Sequence, residues 1–146
     1  MQIRVMRPED YPGVYDLWIR TPGMGLNTTD DSAEGIARYL KRNPSTSFVA
    51  EEDGRIVGAI LAGHDGRRGY FYHTAVSEAY RGRGIGRALA EAAADALQKE
   101  GISKAALVVF QRNGAGNGFW EHLGFEERTD LSYRNKCLRE LERIDT

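Results

Sequence analysis

Apolar positions along this chain recur with two periods, and the switches between them mark out its elements. Tyr11, Val14, Tyr15 and Trp18 stand at i, i+3, i+4 and i+7, the spacing of one helical face. Pro8 ahead of them suits a first helical turn, and Glu9 and Asp10 complement the positive end of that helix. Thr21-Pro22-Gly23 closes it, and Gly23 to Asp30 reads as loop. Asp31 and Glu34 have the spacing of a capping box. The stripe Ile36, Tyr39, Leu40 follows and Asn43-Pro44 stops it. Ile3 and Val5 mark a short opening strand. Ser47 to Glu51 and Arg55 to Ala62 read as strands about an Asp53-Gly54 turn, and Gly63 to Gly66 turns the chain into a third, Tyr70 to Val76. A long helix, Gly84 to Glu100, carries its apolar stripe at Ile85, Leu89, Ala92, Ala93, Ala96 and Leu97, with Gly101 as its cap. Lys104 to Phe110 reads as a strand, Gly118 to Leu123 as a short helix ended by Gly124, and Thr129 to Lys136 as a last strand. The order βααβββαβαβ predicts one α/β domain over residues 1–146, with a mixed central sheet and helices on both faces.

Composition narrows the function classes. A net charge of −1 offers no basic face for nucleic acid. No apolar run approaches the roughly 20 residues of a membrane span. Met1 to Val5 reads as a strand and not as a leader peptide. Cys137 is the single cysteine, so no internal disulfide forms and a reducing, cytoplasmic setting is expected. No two of the three histidines share a metal-ligand spacing, and no metal is expected.

The chemistry concentrates in Arg81-Gly82-Arg83-Gly84-Ile85-Gly86-Arg87. A strand that turns through glycines into a helix start leaves main-chain N–H groups facing outward. The helix dipole and three arginines add positive charge there. This is a site for a diphosphate. A P-loop needs Lys-Ser/Thr after its last glycine, and Arg87-Ala88 stands there. A dinucleotide fold needs a glycine at position 87 and an acid ending the next strand, which closes instead at Phe110-Gln111.

Arg81-x-x-Gly84-x-Gly86 resembles the Q/R-x-x-G-x-G/A signature of the GNAT acetyltransferase superfamily. The context matches as well: Thr74-Ala75-Val76 ending the strand before it, Tyr80, and later Asn113 followed by Phe119-Trp120-Glu121-His122-Leu123-Gly124-Phe125. The resemblance spans nearly the whole chain and implies transfer of an acetyl group from acetyl-coenzyme A to a primary amine. It implies that the backbone of Arg81, Gly82, Arg83, Gly84, Ile85, Gly86 and Arg87 cradles the pyrophosphate. It further implies that Thr74, Ala75 and Val76 pair with the pantetheine arm, that Asn113 contacts that arm, and that a backbone N–H near Val76 faces the thioester oxygen. The strands Tyr70–Val76 and Lys104–Phe110 are expected to splay apart around the thioester. Members of the family often form homodimers. The acceptor is expected to be a small-molecule or peptide amine.

Two family features depart here. The usual proton-donating tyrosine is replaced by Trp120, whose indole N–H hydrogen-bonds but is no acid near neutrality. Trp120 either hydrogen-bonds the sulfur or packs under the cofactor, and solvent, Tyr72 or Tyr133 remains to supply the proton. The stretches that hold a glutamate base in relatives are Tyr70-Phe71-Tyr72-His73 and Val108-Val109, with no acid. His73 has a suitable intrinsic pKa, and a base acting through water, or solvent alone, stays open beside it. Asp30-Asp31 reads as a helix start, or as an attractor for a cationic amine. The absent base and donor leave a second class open: a non-catalytic acyl-coenzyme A sensor.

Overall fold

The computed structural model describes residues 1–144; positions 145 and 146, the end of the expected domain, lie outside the described residues. The elements are β1 (Gln2–Val5), a 3-10 turn (Pro8–Asp10), α1 (Tyr11–Ile19), α2 (Ala33–Arg42), β2 (Phe48–Glu52), β3 (Arg55–His64), β4 (Gly69–Val76), a 3-10 turn (Glu78–Tyr80), α3 (Ile85–Lys99), β5 (Ala105–Ala106) and α4 (Gly114–His122). They form one sheet in the order β1-β2-β3-β4-β5. The first four strands are antiparallel, and β5 lies parallel to β4.

Burial follows from alternation along the central strand. Ala59 and Leu61 of β3 face Val14, Leu17, Trp18, Ile36 and Leu40 of α1 and α2. Ile60 and Ala62 face Ile85, Leu89, Ala93 and Leu97 of α3. Both faces of β3 are therefore covered, and its residues are apolar and small on both sides. Gly58 lets α3 come close: a Cβ there would lie 3.0 Å from Leu89 and 3.1 Å from Ile85.

Three expectations need correction. The strand expected over Lys104–Phe110 shrinks to Ala105–Ala106, pairing only Gly69 with Ala105 and Tyr70 with Ala106. The last strand, Thr129–Lys136, does not form, and Leu131 and Tyr133 stay 60% and 68% exposed. Alternation yields a strand only where a neighbouring edge offers hydrogen bonds, and two residues of β5 offer almost none. The chain end instead returns to the loop before α2, where Thr28 N–H donates to Glu142 O and Ile144 N–H to Leu26 O. Finally, the cap of α2 is Ser32, whose Oγ accepts the Gly35 N–H at 2.9 Å. Asp31 is thereby free to turn inward, and it is buried.

Candidate active site

Between Leu61↔Tyr72 and Ala59↔Ala75, β4 advances three residues while β3 advances two. The extra residue is a β-bulge, which re-aims side chains. His73 sits in it at φ +45°, a left-handed conformation that costs a non-glycine residue energy and needs outside support. Trp18 supplies support: its Nε1–H donates to His73 O at 3.0 Å, and the two rings meet edge to face at 5.0 Å. Trp18 is fully buried.

The bulge turns the His73 ring onto Asp31, with Nε2 2.8 Å from Oδ1 and side-chain exposures of 14% and 4%. Asp31 is fixed in turn. Its Oδ2 accepts the Asn27 N–H at 2.9 Å, and its carbonyl accepts the Tyr11 hydroxyl at 2.7 Å. A carboxylate only accepts, so the shared proton is assigned to Nε2. Nδ1 is left as the acceptor of the ring. A base whose partner holds its tautomer is the arrangement that proton abstraction needs.

His73 and Asp31 open onto a cavity of about 810 Å³ beneath α2, lined also by Asp30, Tyr39, Leu61 and Tyr72. Burial pushes the Tyr39 and Tyr72 hydroxyls above the ordinary tyrosine range, and neighbouring tyrosines add to it. Burial likewise pushes Tyr70 up to about 12. These hydroxyls stay protonated at neutral pH.

The second half of the site lies at the end of β4. Ser77 N–H donates to Val57 O, so Gly58 and Val76 form the next, non-hydrogen-bonded pair. The Val76 N–H and C=O therefore point away from β3, toward the side where β5 has parted. Arg81 Nε takes the Val76 carbonyl at 3.1 Å. Gly82 and Gly84 adopt φ of +78° and +79°, and a Cβ on either would meet nothing within 4 Å. The first helical bond of α3 is Ala88 N–H to Gly84 O, so the N–H groups of Ile85, Gly86 and Arg87 precede the ladder and find no helical acceptor. Gly86 differs from its fellows: a Cβ there would lie 3.2 Å from Phe119, so this glycine admits α4. Arg83 stacks 4.9 Å from the Tyr80 ring centre, and Arg87 pairs with Glu91 at 2.8 Å.

The remaining expected residues fall beside this second half. Asn113 caps α4, its Oδ1 accepting the Gly116 N–H at 2.9 Å. Trp120 packs among Phe119, Phe125 and Phe71 at centroid distances of 4.9, 5.2 and 5.9 Å. Thr74 is half-buried and Ala75 is buried opposite Ala59. Thus His73 and Tyr72 line the cavity under α2, while Val76, residues 81–87, Asn113 and Trp120 lie toward α3 and α4. Sequence reasoning offers Asp31 as an attractor for a cationic amine, but neither its pairing with His73, 42 residues away, nor the hold of Trp18 on the bulge can be read from spacing.

Residues 11–125 match the Acetyltransferase (GNAT) family. The chain belongs to that family. An acetyltransferase of Pectobacterium atrosepticum is 37% identical to this GNAT protein over 142 residues, 97% of this chain and 99% of that one. Among solved structures, the ribosomal-protein-S18-alanine N-acetyltransferase from Escherichia coli superposes with a TM-score of 0.73 at 25% identity, covering 88% of this chain and 79% of that one. The PaiA N-acetyltransferase from Thermoplasma acidophilum, solved with coenzyme A, also reaches 0.73 at 20% identity, over 86% and 89% of the two chains. At that identity the likeness is one of fold. This GNAT protein is an acetyltransferase by family, with the GNAT mixed sheet.

Proposed function

We propose that this GNAT protein transfers the acetyl group of acetyl-coenzyme A to a primary amine held in the cavity beneath α2. The parting of β4 and β5 beyond Tyr70 and Ala106 carries this reading. Beyond that pair β4 has no β5 partner, which supports a gap beside the Val76 N–H, with the glycine turn a few residues after it in the chain and His73 three residues before it. The residues present fit the co-substrate: three leading N–H groups and open space at Gly82 and Gly84 suit a diphosphate. Val76, and Thr74 two residues before it, offer main chain to the arm, whereas Ala75, paired with Ala59, turns its own toward β3; Asn113 keeps its Nδ2 for the arm.

Acetyl-coenzyme A, when bound, supplies an acetyl group activated as a thioester. Val76 N–H donates toward the carbonyl oxygen, where charge grows during attack. His73 Nδ1 takes the proton from the acceptor ammonium, directly or through one water, and Asp31 stabilises the charged ring. Trp120 packs as a wall of the gap. Solvent returns a proton to sulfur, since the raised Tyr72 hydroxyl is a weaker acid than the thiol; a thiol of pKa about 8.5 needs little help to leave. Asp30 draws the cationic acceptor inward.

The competing reading, a sensor without turnover, drew its support from the absence of a base and from Trp120 in place of the proton-donating tyrosine; the second still stands, but the thiol leaves with little help. The His73–Asp31 pair fills the role of the base, so transfer is favoured. Calorimetry with acetyl-coenzyme A together with thiol release across a panel of primary amines tests the choice. Binding with dissociation constant on the order of micromolar and release above background is expected. Tight binding with no release from any amine would establish the sensor instead.

A further inference from the structure

The cavity under α2 keeps its charges in two groups. Asp30 and Asp31 stand with His73 at one end, while Arg38, Lys41 and Arg42 line the other. Arg38 is seven residues beyond Asp31 and Arg42 eleven. Five and nine of those steps lie within α2, which begins at Ala33; at about 1.5 Å of rise each they span about 8 and 14 Å, and the extended stretch through Ser32 back to Asp31 adds to both. Arg38, Lys41 and Arg42 are three and four residues apart, so they share one helical face. Among the described residues none of the three has an ion-pair or side-chain hydrogen-bond partner. Basic residues in a last turn suit the helix dipole, which accounts for Lys41 and Arg42. It does not account for Arg38 in mid-helix, nor for all three lining the same cavity as two aspartates.

We propose that the acceptor is dipolar: a primary amine carrying an anionic group, carboxylate or phosphate, about 10 Å from its nitrogen. This deepens the reading of the cavity as the acceptor site and rests on it. The ammonium is drawn to the aspartates beside His73, and the anion meets the three cations. A free α-amino acid is too short, since its ammonium and carboxylate hang on one and the same carbon. At about 3.3–3.6 Å per residue, a tripeptide spans the distance from its amine to its terminal carboxylate. A polyamine would set a second positive charge against Arg38, Lys41 and Arg42, and is disfavoured by the same arithmetic.

The test reads binding, so it does not depend on turnover. The protein saturated with coenzyme A is titrated by calorimetry with Ala-Ala-Ala, its C-terminal amide, aminohexyl phosphate and spermidine. The Arg38→Gln/Arg42→Gln double variant is titrated alongside. Both arginines are exposed, and an unchanged melting temperature shows that the variant is folded. The tripeptide acid is expected to bind about tenfold tighter than its amide, with the preference erased in the double variant. The phosphate amine, set against the peptide, shows which anion the site was built for. Equal binding of acid and amide, tighter binding of spermidine, or binding of none of the four would overturn the inference. Thiol release is followed in parallel with acetyl-coenzyme A. Charge-selective binding without release from any acceptor would contradict the transferase reading and leave the dipolar site standing.

Discussion

At the scale of single residues, His73 derives its proposed role from three neighbours, each separable by substitution. Asp31 fixes the tautomer, Trp18 holds the bulge, and Tyr11 and Asn27 hold Asp31. Asp31→Asn keeps the size but loses the charge that supports a protonated ring. It should lower kcat about tenfold or more while leaving calorimetric affinity for acetyl-coenzyme A unchanged; an equal loss of both would mean that Asp31 merely holds the fold. Gly84 answers for the other half of the site. In Gly84→Asp the new side chain enters the open space at the turn, carries like charge toward phosphate, and strains a backbone at φ +79°. Affinity for acetyl-coenzyme A should drop at least about a hundredfold in a folded protein by circular dichroism, and retained affinity would remove the diphosphate from that turn.

Among the elements, those written in local periodicity could be read directly. The stripe of α3 and the Asp53-Gly54 hairpin lie within a dozen residues of themselves, and they stand where spacing puts them. The glycine turn was legible for the same reason. Other features depend on distant partners. The last strand failed because β5 gives it no edge. The start of α4 at Gly114 was hidden by Gly114, Gly116 and Gly118, poor helix formers that the Asn113 cap overrides. The His73–Asp31 pair joins elements 42 residues apart, and no spacing announces it. Gly35 shows how an element places the site: a Cβ there would collide with the main-chain carbonyls of Thr29 and Asp30. Gly35→Ala should push α2 off the loop that carries Asp31. We expect a loss of about 2 kcal/mol in stability and a fall in kcat with affinity for acetyl-coenzyme A retained, checked by denaturant unfolding and thiol release.

On the scale of the whole molecule, the sheet separates two cores and two half-sites, and β4 joins them. The N-terminal edge is tied by Arg4, which pairs with Asp10 at 2.8 Å and Glu51 at 3.2 Å. Burial alone would raise the Asp10 carboxyl, but the Arg4 guanidinium and the Arg7 N–H outweigh it, and Asp10 titrates below its ordinary range. A carboxyl depressed in the folded state contributes stability above its unfolded pKa of about 3.9 and loses it as pH falls through the folded value. The melting temperature should therefore fall more steeply below about pH 4 in the wild type than in Asp10→Asn, which starts lower at neutral pH; parallel curves would remove Asp10 from the acid transition. The central claim is that one ring, held by a buried carboxylate at the edge of parted strands, takes the proton from the acceptor. Its most direct measurement is thiol release from acetyl-coenzyme A by wild type and His73→Gln, with the best acceptor amine saturating. The account predicts a kcat about a hundredfold lower in the variant with unchanged affinity for acetyl-coenzyme A. An undiminished kcat would contradict it.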